Sequence, residues 1–492
     1  MKSPAEFAVK VAGVTYRELK KHTPAIIQIP LTETQKETLG KKDNYKNGWI
    51  DFDWDILRDK FFRKKLDPVV EDLLIIALSV FYVDSVVERD SKYLKRSKDS
   101  RFFSREIKLY VPVSDKKLWD RVRIELEKTI SFMTYDLFEF EFLQRKGQVK
   151  KRNILKQRSE HSFIALFSGG LDSLAGSQFL LENEKGKPLF VSVKHGTFGG
   201  VIEHLIDKLK IDAIDVRYGD KPKDKDQIKK EYRKFHKPSE WTQFSRSFLY
   251  LTVGVAVALP YSNIKDIHIP ENGVIAHNIG LGEARRGTRT ANPRFLRYFE
   301  DLINSVFPEA KIQIKDNFIY ETKGDVVDHL IQKKEVIKES ISCARYARYT
   351  DENSYQCGMC IPCIYRIIAL TSKNLYPTFD RKISSHGMNI FLANLLKPDL
   401  NSELTKGNVK KIIKFTKDDY PVGVINVLDV INFAATLKTL EKKDVVRKYP
   451  SLIDEQLYLM YQRFAEEVES TVNFFGDENP SLKSVWREYT KH

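Results

Sequence analysis

The order of apolar and polar positions changes character twice along the chain and divides it into three parts. Up to residue 143, short strand-like runs alternate with helical runs. The strand-like runs are AIIQIPL, WIDFDWD, EIKLYVPV and DLFEFEF, and the helical runs are EDLLIIALSVFYVDSVVER and KKLWDRVRIELEKTISFM. We therefore predict an N-terminal α+β domain, which together with a basic linker occupies residues 1–158.

From residue 159 to 370, short apolar strands alternate regularly with helices. The strands are FIALF, LFVSVKHG, DAIDVRYG and DIHIPENG, and the longest helix is SFLYLTVGVAVAL. This alternation predicts an α/β domain with a parallel sheet covered by helices, in which ligands bind at the carboxyl ends of the strands. Residues 371–492 carry amphipathic patterns such as EQLYLMYQRFAEEVESTVNFF, which predict a helical C-terminal region used for packing or partner binding.

Composition places the chain among folded, water-soluble proteins. With 492 residues, 42% hydrophobic and 30% charged, it is long enough for two or three domains and too apolar to be disordered. The longest apolar run, LLIIALSVFYV, is shorter than a membrane span, and MKSPAEFAVK lacks the apolar core of a signal peptide. We expect a cytoplasmic protein with no membrane partner.

The formal charge of +15 raises the question of a nucleic-acid partner, because clustered Lys and Arg release counterions from phosphates. The densest cluster is QRKGQVKKRNILKQR at 144–158, which is a linker or solvated surface segment, or alternatively a strip that contacts phosphate. Because the basic excess is spread over several clusters without an aromatic-interleaved motif, nucleic acid is a possible partner that we do not favour.

The strongest candidate for chemistry is the turn SGGLDS at 168–173, between a buried strand and a helix. Such a turn directs backbone N–H groups and the positive end of the helix dipole at one point, which favours an anion. It matches neither the P-loop pattern G-x-x-x-x-G-K-[ST], whose lysine is absent, nor the dinucleotide pattern G-x-G-x-x-G, and its alternative is a serine-capped helix after a glycine turn. The expected phosphate-binding residues are Ser168, Gly169, Gly170, Leu171, Asp172 and Ser173, with Asp172 also suited to Mg²⁺.

The turn resembles the SGGxDS motif of the PP-loop ATP pyrophosphatases. The resemblance implies an adenine nucleotide alpha hydrolase-like core that binds ATP and Mg²⁺. It also implies attack of a substrate oxygen on the α-phosphorus, yielding AMP and pyrophosphate, with Asp172 and Ser173 in catalytic positions.

All four cysteines lie in one short region of the chain. Cys343 is followed after thirteen residues by CGMCIPC, which supplies Cys357, Cys360 and Cys363. Two overlapping C-x-x-C steps and a distant fourth thiol predict a structural Zn²⁺ site with a closed coordination sphere. An iron–sulfur cluster is the alternative, because the same ligands suit it.

The glycine turn followed by CGxCxxC resembles the 7-cyano-7-deazaguanine synthases (QueC), over roughly residues 160 to 370. This implies adenylation of 7-carboxy-7-deazaguanine and transfer to ammonia. The added N- and C-terminal parts, and ENGVIAHNIGLGEARRGTRTANP, resemble the long QueC-like proteins of bacterial antiphage defence operons, most of all the QatC family of the Qat system. For these the resemblance implies an amine of a partner protein from the same operon as a possible acceptor.

Further candidate residues lie where strands of the predicted sheet end. Lys194 and His195 end the second strand and are expected to contact the nucleotide, unless they are a surface pair. Arg246, at the start of the long helix, is a candidate catalytic residue that reaches a phosphate or carboxylate, or else a helix-surface arginine.

Two segments are candidates for substrate binding. Glu271 and Asn272 in PENG suit the edge of a purine-like base, although a plain turn explains them nearly as well. In RRGTRTANP, Arg286 and Arg289 are expected in a cover over ATP or the substrate, with a basic loop as the alternative.

These patterns lead to an ATP-dependent, C–N bond forming enzyme of the PP-loop class. We expect it to adenylate a deazaguanine carboxylate and to transfer it to ammonia or to an amine, with ATP, Mg²⁺ and Zn²⁺ as cofactors. The alternatives are a PP-loop enzyme that modifies tRNA or DNA, and a non-catalytic adaptor that binds nucleotide.

Overall fold

A computed structural model describes the chain in thirteen pieces. These are residues 5–10, 25–32, 35, 48–62, 66–87, 105–145, 157–195, 199–219, 244–279, 288–344, 356–383, 387–395 and 409–491. The strands are β1 (Ala5–Lys10), β2 (Ala25–Gln28), β3 (Gly48–Trp49), β4 (Asp51–Phe52), β5 (Glu106–Val113), β6 (Leu137–Gln144), β7 (Phe163–Leu166), β8 (Pro188–His195), β9 (Ala213–Gly219), β10 (Asp266–His268) and β11 (Gln313–Lys315).

Helices connect and cover these strands. They are α1 (Trp54–Phe61), α2 (Pro68–Val86), α3 (Lys116–Arg121), α4 (Arg123–Thr134), α5 (Leu171–Asn183), α6 (Gly199–Leu209), α7 (Arg246–Ala258), α8 (Gly273–His277), α9 (Pro293–Val306), α10 (Lys323–Asp328), α11 (Ile361–Ser372), α12 (Val409–Thr439), α13 (Lys442–Lys448), α14 (Glu455–Phe475) and α15 (Pro480–Tyr489). Short 3₁₀ helices cover Ile331–Glu339, Ile390–Leu392 and Pro450–Ile453.

The N-terminal sheet has five strands in the order β3-β2-β1-β5-β6, and every described pair is parallel. The predicted α+β organisation is wrong here, because β5, the helices α3 and α4, and β6 form a β-α-β crossover. Strand β6 alternates buried Phe138, Phe140 and Phe142 with exposed residues, as an edge strand does. That alternation is also the pattern of an antiparallel strand, so it does not reveal strand direction.

The second sheet has the order β11-β10-β7-β8-β9-β4 and is parallel except for β4, which pairs antiparallel with β9. The predicted α/β organisation with a parallel sheet is confirmed. From β7 the chain proceeds to β8 and β9, and it then returns to β10 and β11 on the other side of β7. This reversal opens a crevice at the carboxyl ends of β7 and β10, which is where ligands of such sheets bind.

The two sheets share one hydrophobic core. It runs from Val9 in β1 to Ile312 beside β11, and the apolar helix α7 lies within it, buried along nearly its whole length. Polar contacts join the same parts, since Asp84 at the end of α2 accepts hydrogen bonds from the amide and the hydroxyl of Ser245 at 2.8 and 2.9 Å. The N-terminal part therefore packs directly on the sheet that carries the glycine turn.

The C-terminal helices form a second core with the cysteine-bearing helix α11. Its members include Ile364 of α11, Val427 of α12 and Phe464 of α14. The amphipathic patterns predicted this helical region, and the buried stripe of α14 faces α11 and α12. Among the residues that the structure describes, no helix has the length and apolarity needed to cross a bilayer.

Candidate functional site

The SGGLDS turn connects β7 to α5 at the carboxyl edge of the second sheet. Gly169 has φ +73°, a conformation that favours glycine, and a Cβ there would lie 3.0 Å from Ile202. Gly170 is the N-cap of α5 and has no side chain to accept the first N–H groups of the helix. The turn thus presents an uncapped helix N-terminus, as an anion site requires.

The two serines of the turn hold its shape. The hydroxyl of Ser173 accepts a hydrogen bond from the Ser168 amide at 3.2 Å and donates to the Gly170 carbonyl at 3.0 Å. The Ser168 hydroxyl lies 3.1 Å from that of Ser173 and accepts from the Gly170 amide at 3.4 Å. Leu171 contributes its backbone only, because its side chain is buried in the core.

Asp172 lies at the centre of a buried polar cluster. Its Oδ2 accepts hydrogen bonds from the ammonium of Lys323 and from the Asn272 amide, the latter at 3.4 Å. Its Oδ1 has no hydrogen-bond partner among the described residues, although Asp172 is only 8% exposed. An open carboxylate oxygen beside a helix N-terminus suits a magnesium ion that accompanies a phosphate.

Two more carboxyl groups adjoin Asp172. Burial and the negative charge of Asp172 raise the pKa of Glu271 well above its usual range, while Lys323 opposes the shift. Burial also raises the pKa of Asp316 to about 8, against backbone amides of Phe318 and Glu271 that favour its charged form. Three carboxyl groups thus lie close together, one of them bonded to the Lys323 ammonium, and the raised pKa values of Glu271 and Asp316 favour their protonated forms.

Asn272 has a local structural role in addition to its place in this cluster. Its carbonyl oxygen accepts from the Ile275 amide at 3.1 Å and caps α8, and its amide donates to Glu271 at 3.2 Å. The edge of a base would have to compete with these bonds.

Lys194, predicted to contact the nucleotide, is paired with acidic neighbours. Its ammonium lies 2.5 Å from Asp215 and 3.2 Å from Glu203, and the residue is only 2% exposed. Glu203 also bonds Arg217 at 2.8 Å. His195 ends β8 as expected, and its side chain lies outside the described part of the chain.

The predicted arginines are not brought to the turn by any described hydrogen bond or ion pair. Arg246 is the first residue of α7, directly after Ser245. Arg289 donates to the carbonyl of Phe132 at 2.6 Å, and its guanidinium lies 3.8 Å from the ring centre of Tyr135. It therefore packs on the N-terminal part of the molecule. Arg286 lies outside the described residues.

The four cysteines form a compact buried cluster. The Sγ atoms of Cys343, Cys357, Cys360 and Cys363 all lie within 4.8 Å of one another. Cys357 and Cys363 are 3.9 Å apart, close to the ~3.8 Å edge of a tetrahedron with ~2.3 Å bonds to zinc. Gly358 has φ +71°, and backbone amides of Met359 and Cys360 point at the sulfur of Cys357. The cluster can hold one tetrahedral metal ion such as zinc.

The segment that carries Cys343 also touches the glycine turn. The Ile341 amide donates to the Gly169 carbonyl at 3.0 Å. Arg366 of α11 is fully buried and donates to the Ser340 hydroxyl at 2.8 Å. A short run of residues therefore joins the cysteine cluster to the turn.

The sequence patterns missed Lys323 and Asp316. One local signal exists for Lys323, since Thr322 and Asp325 form a capping box that predicts a helix starting at Lys323. Nothing in that signal indicates that the helix faces Asp172, 151 residues earlier in the chain. No family model, no curated protein and no solved structure matches this chain.

Proposed function

We propose that this chain is an ATP pyrophosphatase of the PP-loop class that adenylates a carboxylate and transfers it to an amine. The observation that carries the proposal is the SGGLDS turn at the switch point of a parallel sheet, with the open oxygen of Asp172 beside it. The position, the uncapped helix and the buried carboxylate are each expected of a site for Mg²⁺-bound phosphates.

Each group has a defined part in this proposal. The N–H groups of the turn bind phosphate oxygens, the hydroxyl of Ser173 holds the turn in shape by donating to the Gly170 carbonyl, and Lys323 offsets negative charge on the phosphoryl oxygens. Mg²⁺, held by Asp172, would supply further charge neutralisation. The half-buried Glu271, whose pKa is raised by burial and by the charge of Asp172, is suited to hydrogen bonding with a polar substrate in its neutral form.

The proposed reaction has two steps. A carboxylate oxygen of the substrate bonds to the α-phosphorus of ATP, and the bond from that phosphorus to the bridging oxygen breaks to release pyrophosphate. The amine then bonds to the acyl carbon, the carbon–oxygen bond to AMP breaks, and the amine proton passes to solvent. Orientation and charge neutralisation supply most of the rate in such a reaction.

For the substrate we propose 7-carboxy-7-deazaguanine, with ammonia or an amine of a partner protein as acceptor, in antiphage defence. The support is the resemblance to QueC-like proteins in the turn and the cysteine cluster. The four thiolates are assigned to a structural zinc, because four sulfurs around one ion leave no position for substrate.

The test is AMP and pyrophosphate release from Mg-ATP, measured by chromatography with and without 7-carboxy-7-deazaguanine and with ammonium as acceptor. Release that depends on the deazaguanine is the expected result. Equal release without it would contradict the proposed substrate. If the protein binds ATP but releases neither AMP nor pyrophosphate under any condition, the result would favour a non-catalytic nucleotide-binding protein.

A further inference from the structure

Helix α14 of the C-terminal region reaches the polar cluster around Asp172. Two of its side chains one turn apart, Arg463 and Glu467, contact the first turn of α10. Arg463 donates to Asp325 at 2.9 Å and to the carbonyl of Tyr320 at 2.9 Å. The sequence pattern had assigned this helix to packing or partner binding alone.

The carboxyl group of Glu467 is buried at the start of α10. The residue is 7% exposed, and the Thr322 hydroxyl donates a hydrogen bond to it. At Gly324 a Cβ would lie 2.2 Å from the same carboxyl oxygen, so only glycine admits Glu467 at this distance. Glu467 therefore contacts the residues on both sides of Lys323.

The side chain of Lys323 contacts the glycine turn. Its ammonium binds Asp172, and the residue is 4% exposed. A long, flexible lysine side chain remains in one buried position only if its backbone is held in place, since ordering it costs rotamer entropy. The contacts of Glu467 hold that backbone.

The same helix also holds the other wall of the cluster. The hydroxyl of Tyr461 accepts from the Ile279 amide at 3.0 Å and donates to the carbonyl of Val274 at 3.3 Å, at the two ends of α8. A Cβ at Gly273 would lie 2.4 Å from the sulfur of Met460. Helix α8 directly follows Asn272, so α14 contacts the elements that carry two partners of Asp172.

We propose that Glu467 is a positioning residue of the ATP site, which fixes the first turn of α10 and thereby holds the Lys323 ammonium at Asp172. The role of Lys323 in catalysis rests on the proposed function. The position of Lys323 does not, and it can be measured without ATP.

The test follows acetylation of lysines in the folded full-length protein by an N-hydroxysuccinimide ester, quantified by peptide mass spectrometry. Lys323 is expected to be protected in the wild type and to react about tenfold faster in Glu467→Ala, because a lost bond to a buried group raises local opening. Lys443, 68% exposed, is the internal reference for reagent activity. Thr322→Val removes the hydroxyl that donates to Glu467 and that also accepts from the Asp325 amide as the N-cap of α10, and it should act in the same direction if Glu467→Ala does not fold.

Two variants separate positioning from general loosening. Glu467→Gln keeps an acceptor for Thr322 and should restore protection. Thr471→Val removes a buried hydroxyl that, among the described residues, bonds the Glu467 carbonyl within α14, at 2.8 Å, and should leave Lys323 protected. The proposal would be overturned if Lys323 is labelled as slowly in both Glu467→Ala and Thr322→Val as in the wild type. It would also be overturned if Lys323 is labelled as fast in Thr471→Val as in Glu467→Ala.

Turnover gives the matching functional result. If Glu467 acts through Lys323, then Lys323→Met and the double variant with Glu467→Ala lose AMP formation equally, whereas independent roles give additive losses. Additive losses would contradict the proposal. If the wild-type protein forms no AMP, the proposed function is contradicted. The labelling result would still decide whether Glu467 holds Lys323 in position.

Discussion

Asp172 uses its two carboxylate oxygens differently, and this difference predicts what its substitution does. Oδ2 binds Lys323 and Asn272, while Oδ1 is open. In Asp172→Asn we expect AMP formation to fall at least about 100-fold, as when one electrostatic contact to a transition state is removed. The measurement is AMP release under saturating Mg-ATP.

The same substitution leaves the buried ammonium of Lys323 without a charged partner, which destabilises the fold as well. Asp172→Asn/Lys323→Met removes both charges and is expected to recover most of the melting temperature without recovering AMP formation. Recovery of both together would show that Asp172 serves stability alone.

Ser173 and Ser177 form a matched pair on α5. The Ser173 hydroxyl bonds the Ser168 amide and the Gly170 carbonyl, whereas the buried Ser177 hydroxyl donates to Leu174 within the helix at 2.7 Å. We expect Ser173→Ala to lower kcat/KM for ATP about tenfold or more, and Ser177→Ala to leave it within about twofold. Equal effects of the two substitutions would contradict a specific role for the turn.

At the scale of elements, the contact between α14 and α10 predicts a pH dependence of stability. Burial raises the pKa of Glu467 to about 8, above the ~4.3 of an unfolded chain. The folded state therefore binds the proton more tightly, and this contribution to stability is full below about pH 4 and is lost as the pH rises through about 8. Because glutamine does not titrate, the stability of Glu467→Gln does not decline in this way as the pH rises.

The measurement is urea unfolding of wild type and Glu467→Gln between pH 6 and pH 8. The stability of the wild type relative to the variant should decline by up to about 1.4 kcal/mol per pH unit. Asp316, whose pKa is also raised to about 8, titrates in both proteins, so the comparison isolates Glu467. A constant difference across this range would show that Glu467 is charged in the folded state.

At the scale of the whole molecule, the cysteine cluster joins the second core to the glycine turn through Ile341. We expect the wild type to bind one equivalent of zinc, and Cys360→Ser to lose it and to melt several degrees lower, because metal binding contributes folding free energy. Met359→Leu changes a buried neighbour of similar volume and should keep the metal.

Elemental analysis and thermal melting check this prediction. Iron and labile sulfide in place of zinc would favour the iron–sulfur alternative. Loss of metal in Cys360→Ser without any change in melting temperature would show that the cluster does not stabilise the fold.

The sequence by itself determined the features that depend on residues close together along the chain. Strand β7, the glycine turn and helix α5 follow from one stretch of apolar and glycine positions, and the four cysteines follow from their spacing. The helical patterns predicted α2 and α14 for the same reason, since a period of apolar residues is local.

Only the tertiary structure decided which distant groups share the site. Lys323 and Asp172 are 151 residues apart, and Thr322 and Glu467 are 145 apart. Conversely, Lys194 and Arg289 lie near predicted ligand positions in sequence but are bonded to other partners. The physical reason is that a buried charge must find a partner within a few ångströms, and which one is available depends on how strands and helices pack.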